Sequence, residues 1–112
     1  MAKKTVTLTA DSSGTFLASV KRRPEAAFYV ANILVYGTFG SGTVAFYLSP
    51  DNGTTLIPLT DVVGSSITAT ANASIGPLNL GNASHNDNNQ KIYVGLTGST
   101  TPSITVALFD NN

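Results

Sequence analysis

His85 is the single histidine of the chain and stands in the run Asn82-Ala83-Ser84-His85-Asn86-Asp87-Asn88-Asn89. A histidine beside a carboxylate is a candidate general base or one arm of a metal site, because imidazole titrates near neutrality. A hydrolase built on it would need His85 in a pocket with Asp87 or Asp61. The rest of the chemistry is missing. A zinc site needs further histidines or cysteines, and the chain has one histidine and no cysteine. A nucleophilic triad needs its three groups to converge on one point, which adjacent residues of one loop rarely do. Calcium would find oxygens on Asn86, Asp87, Asn88 and Asn89. The alternating acids, central glycine and distal glutamate of a calcium loop are not there. The run therefore reads as a solvated loop of turn-forming residues. We expect no catalytic residue, no cofactor and no metal, and we do not expect an enzyme.

Lys21-Arg22-Arg23 is the basic cluster of the chain, followed closely by Glu25. Three charges with no basic stripe to continue them make a small footprint for phosphates, so nucleic acid is not an expected partner. The cluster fits a solvated corner, or an ion-pairing contact with a partner protein. Gly37-Thr38-Phe39-Gly40-Ser41-Gly42 is rich in glycine but lacks the Gly-Lys-Ser/Thr ending of a phosphate loop, so it reads as a turn between strands. Among the aromatics, alternation puts Phe16, Phe46 and Phe109 with the aliphatic residues of their strands, as core. Tyr29, Tyr36, Tyr47 and Tyr93 are the rings that could form an exposed platform for a sugar.

The elements that must position these residues are strands. Hydrophobic residues make up 42% of the 112-residue chain and charged residues only 11%, so Thr, Ser, Asn and Gly supply the polar surface. Such surfaces suit pleated sheets, whereas helices are usually dressed with Lys, Glu, Gln and Ala. The formal net charge is zero, which encodes neither attraction to nor repulsion from a polyanion. A neutral, sparsely charged surface is also weakly protected against association. Met1-Ala2-Lys3-Lys4 leads into alternation rather than an apolar run. That predicts neither a secretion signal nor a membrane span, and synthesis in a cytoplasm.

Thr5-Val6-Thr7-Leu8-Thr9 alternates strictly and opens the series. The next strand is Thr15 to Val20, with Phe16, Ala18 and Val20 expected on one face. Phe28 to Tyr36 is so apolar over its length that both of its faces are expected to be covered. Thr43–Ser49 and Thr55–Leu59 are predicted to form a hairpin across Pro50-Asp51-Asn52-Gly53. Pro50 presets one backbone angle, Gly53 accepts positive φ, and Pro58 makes the second strand an edge or ends it early. Ser66–Ala71 and Ala73–Leu80 follow, the latter broken by Gly76-Pro77. Lys91–Thr97 and Ser103–Leu108 are expected to pair as a second hairpin. About eight short strands at roughly ten-residue spacing make one all-β domain over residues 1–112: an antiparallel β-sandwich, jelly-roll-like.

Thr5-Val6-Thr7-Leu8-Thr9, the Gly37–Val44 stretch, Ser49-Pro50-Asp51-Asn52-Gly53-Thr54-Thr55, and Leu96 to Val106 together resemble small β-proteins of tailed-bacteriophage structural gene clusters. Proteins of that style serve as head decoration (cement) proteins or as small tail and fibre components. The residue after Thr54-Thr55 is often aromatic in that pattern, and here it is Leu56. The resemblance implies a non-enzymatic structural protein of the virion, made in the host cytoplasm, that decorates and stabilises the capsid as a homo-oligomer, a trimer. Its partners would be further copies of itself and the major capsid protein, with no nucleic acid and no membrane. The alternative is a tail or fibre module that binds carbohydrate or another cell-surface ligand. Lys3, Lys4, Lys21, Arg22, Arg23, His85, Asn86 and Asp87 are the expected partner contacts.

Overall fold

A computed structural model describes residues 2–20, 30–60, 63–79 and 90–110. Within them the chain is all-β, with nine strands: β1 (Ala2–Leu8), β2 (Ser12–Ser19), β3 (Val30–Thr38), β4 (Thr43–Ser49), β5 (Ile57–Pro58), β6 (Thr68–Ala69), β7 (Ala73–Asn79), β8 (Lys91–Thr97) and β9 (Ser103–Asp110). They form two antiparallel sheets, the arrangement of a β-sandwich. Sheet A has the order β1-β9-β3-β7. Sheet B has the order β2-β8-β4-β5, with β6 also on β4.

The core lies between the sheets and follows from alternation. Ile104, Val106 and Leu108 of β9 face Ile33 and Val35 of β3 and Leu8 of β1, and all are buried. From sheet B, Val44 and Phe46 of β4 and Ile92, Val94 and Leu96 of β8 join the same cluster. Burial of these apolar side chains, worth about 1.5–3 kcal/mol each, is the principal stabilising term.

Several expectations are corrected. β8 and β9 do not form a hairpin, because they belong to different sheets. The Gly98–Pro102 turn crosses between the sheets instead. It is held to the β3–β4 turn by the Thr100 N–H donating to the Gly40 carbonyl at 2.9 Å. Gly40 has φ 58°, and a Cβ there would lie 2.1 Å from the Thr100 oxygen, so this approach requires glycine.

The β4–β5 pairing exists but is short. Tyr47 pairs with Pro58 and Leu48 with Ile57, so a longer loop replaces the tight turn. The edge then resumes as β6, which pairs Ala69 with Val44 and Thr68 with Ala45. Thus β5 and β6 lie in succession along β4, and Pro58 does end its strand early.

Phe16 is not a core residue. Leu17 is an extra residue between the Phe16↔Tyr93 and Ala18↔Ile92 pairs, and this bulge turns Phe16 outward, 46% exposed, while Leu17 and Ala18 are buried. Phe109 alternates against Leu108 and stands half-buried on the outer side of sheet A. Within β3, Ala31, Ile33 and Val35 point inward, but Leu34 and Tyr36 are 38% and 46% exposed. A two-layer sandwich covers each sheet on one side only, so the second face of this apolar strand is bare in the single chain.

Candidate functional site

The expected contact residues divide sharply. Lys3 and Lys4 lie on β1, both exposed. Lys21, Arg22, Arg23, His85, Asn86 and Asp87 lie outside the described residues, as do Asp61 and Tyr29. Among the described residues no group of three or more His, Cys, Asp or Glu side chains could hold a metal ion. No helix among them is long and apolar enough to cross a membrane. What the described residues offer is two sheet faces and one locked loop.

The outer face of sheet A is built in rows by register. Lys3, Phe109 and Asn32 form one row; Thr5, Ala107, Leu34 and Ser74 the next; Thr7, Thr105 and Tyr36 a third; Ser103 and Thr38 a fourth. Lys3 is the sole charged residue in these rows. Its ammonium sits 5.7 Å from the centroid of Phe109, a cation–π distance that occupies the charge with a ring of its own face. The centre of the face is therefore apolar and hydroxyl-bearing, with Leu34 and Tyr36 as its large exposed residues. Sequence reasoning noted the apolar run but assigned it a cover. The signal for exposure was the alternation of Asn32 with Leu34 and Tyr36.

The outer face of sheet B carries Phe16, Tyr47 and Tyr93. Tyr47 and Tyr93 are direct cross-strand partners, both half-buried. Phe16 meets Tyr93 edge-on, with centroids 5.9 Å apart and planes at 71°. Tyr36 is on the other sheet, so the tyrosines are not one platform. The β4–β5 loop leans on this face: a Cβ at Gly53 would stand 2.5 Å from the Tyr93 hydroxyl oxygen.

That loop is locked by its own side chains. The buried Ser49 hydroxyl oxygen accepts the Gly53 N–H at 2.7 Å and donates to Asp51 Oδ1 at 3.0 Å. Asp51 accepts the Thr55 N–H and the Thr55 hydroxyl, each at 2.7 Å. Asn52, at φ 60°, accepts from the Lys91 ammonium on β8. Backbone donors that a tight hairpin would give to its ladder are thus taken by Ser49 and Asp51, which explains why β5 starts late.

A second carboxylate ties the crossing turns. Asp11 accepts the Gly98 and Ser99 N–H groups, each at 3.1 Å, and the Ser99 hydroxyl. The Ser99 hydroxyl and N–H hold the Asp11 carboxyl below the ordinary carboxylate range. The Thr55 hydroxyl and N–H do the same for Asp51. With folded values below the unfolded ones, this stabilisation is complete above about pH 5 and is lost as pH falls through the unfolded and then the folded values. Wild-type protein should therefore lose thermal stability between about pH 5 and pH 2, and an Asp11→Asn/Asp51→Asn variant should lose less over the same interval. Melting curves at both ends check this, and equal losses would contradict it. Each carboxylate accepts three hydrogen bonds from within the chain, so both tie turns together.

Comparison with protein-family models, curated proteins and solved structures finds no match to this chain.

Proposed function

We propose that this is a non-enzymatic structural protein of a tailed-phage virion, which decorates and stabilises the capsid as a homo-oligomer, a trimer by the resemblance, in contact with the major capsid protein. The observation that carries the reading is the outer face of sheet A, where Leu34 and Tyr36 stand exposed on an interior strand of the sheet among Thr, Ser and Asn. Large apolar residues in a nearly uncharged field match the composition of protein–protein contact cores, which are depleted in charge and enriched in tyrosine. Several such contacts on a symmetric lattice multiply one another, so a small face suffices.

Strand order adds support. The first, third and last strands share sheet A, the second, fourth and penultimate share sheet B, and the connections β1–β2, β3–β4 and β8–β9 each pass from sheet to sheet. This order is the basis for reading the sandwich as a jelly roll with its fifth position split into β5 and β6, an architecture used by viral capsid domains. The low charge, turns closed by side chains and lack of cysteine suit a protein that endures in a particle.

The test is co-sedimentation with empty shells of the phage whose structural genes encode the chain. Saturable binding at a fixed ratio to the capsid subunit is expected. The carbohydrate-binding tail or fibre module keeps one supporting observation, the Phe16, Tyr93 and Tyr47 cluster on sheet B. A glycan screen in which Phe16→Ala abolishes a hit would favour it over the capsid.

A further inference from the structure

Asn52-Gly53 is the one Asn-Gly step of the chain; every other asparagine with a successor is followed by a residue that bears a side chain. That step is chemically special. The backbone nitrogen after an asparagine can attack its side-chain carboxamide, and a glycine there leaves the nitrogen open to close approach. Asn52 stands exposed to water, the co-reactant such a change needs.

The fold holds both reacting groups on other partners. The Gly53 N–H, which carries the attacking nitrogen, donates to the buried Ser49 hydroxyl oxygen at 2.7 Å. Ser49 is fixed in turn by donating to Asp51 Oδ1, which also accepts the Thr55 N–H. The Asn52 carboxamide is tethered through Oδ1 to the Lys91 ammonium of β8. Asn52 sits at φ 60° and Gly53 at φ 95°, and the Thr54 N–H closes the turn onto the Asp51 carbonyl at 3.4 Å. Turning the Asn52–Gly53 peptide until its nitrogen faces the carboxamide carbon would break the Ser49 bond. It would also move Gly53 along Tyr93, whose hydroxyl oxygen lies 2.5 Å from where a Gly53 Cβ would stand.

We infer that Asn52 is a site of spontaneous deamidation whose rate is set by the Ser49 lock: closed, the lock keeps the step slow, and opening it starts the reaction. The Gly53 nitrogen gives its proton to hydroxide and bonds to Asn52 Cγ. The Cγ–Nδ2 bond then breaks, and ammonia leaves with a proton taken from water. The product is a cyclic succinimide. Water opens the ring at Cγ to give aspartate, or at the backbone carbonyl to give isoaspartate with the main chain rerouted through Cβ. The net change converts an amide and water to a carboxylic acid and ammonia, with no oxidant or cofactor. Either product places a carboxylate where a neutral amide met Lys91, and isoaspartate lengthens the loop backbone beside Tyr93.

The experiment incubates purified protein at mildly alkaline pH and follows each asparagine by peptide mapping with mass spectrometry. Folded wild-type protein is compared with the same chain unfolded in urea and with Ser49→Ala, with far-UV circular dichroism as the control for folding. The unfolded chain should modify Asn52 ahead of every other asparagine. Folded wild-type protein should react at Asn52 at least about tenfold more slowly, and Ser49→Ala about tenfold faster than wild type, the scale of one well-formed hydrogen bond. Thr55→Val changes an exposed residue that supports Asp51, so it carries the test where Ser49→Ala does not fold. It should quicken the reaction about threefold, since it loosens the lock without removing it. Folded wild-type protein reacting as fast as the unfolded chain would overturn the inference, as would an unfolded chain that spares Asn52. A folded Ser49→Ala, or Thr55→Val in its place, that keeps the wild-type rate would overturn it as well.

Discussion

Phe46→Ala should destabilise the protein by about 3–5 kcal/mol, the cost of removing a large aromatic side chain from a packed core. Phe46 is 1% exposed and is the largest fully buried side chain among the described residues. It sits in the middle of β4, directly opposite Val94, and its carbonyl accepts the Leu59 N–H at 2.9 Å. Sheet B is the thinner half of the sandwich, because its outer edge consists of two two-residue strands held by β4. A cavity under β4 therefore removes transfer energy and loosens the strand on which both short strands depend. For a domain of this size that is a large share of its total stability of about 5–15 kcal/mol. Urea denaturation measures it directly. A loss below about 1 kcal/mol would mean that the two sheets do not close on Phe46.

The second large effect concerns binding. Leu34→Glu combined with Tyr36→Glu should lower shell affinity about a hundredfold or more while leaving the melting temperature within a few degrees. Both side chains already face outward, so their replacement removes little core contact. In a bound complex the same positions would bury two unpaired carboxylates in an apolar contact, where desolvation has no compensating partner. Binding curves to shells, read beside melting curves, separate the outcomes. Unchanged affinity would move the contact away from sheet A, and an unfolded variant would show that Leu34 and Tyr36 support the sheet.

Much of the fold was legible because strand alternation is local. The strands at Ala2–Leu8, Thr43–Ser49, Lys91–Thr97 and Ser103–Asp110 lie where the alternating runs of the sequence stand, and Pro58 marks its own edge. The sheet partners were less accessible. Lys91–Thr97 and Ser103–Leu108 look like a hairpin because a short glycine-bearing turn joins them. That turn crosses instead between layers, through contacts to Gly40 and Asp11 that are distant in the chain. Bulges hid Phe16 for a similar reason: one extra residue reverses the faces, and nothing in Phe16-Leu17-Ala18 announces which residue is extra. Of the expected contacts, only Lys3 and Lys4 fall among the described residues. The sheet A face was visible as composition, in the excess of apolar residues in β3, but its exposure depends on there being two layers and not three.

Binding to a protein lattice, that of a phage capsid, is the function proposed for this chain. The most direct measurement is co-sedimentation of the purified, folded protein with shells of the encoding phage across a range of concentrations. Saturable pelleting at a fixed ratio to the capsid subunit, lost in the Leu34→Glu/Tyr36→Glu variant, is the predicted result. Folded protein that stays in the supernatant at every concentration, with shells known to be intact, would contradict it.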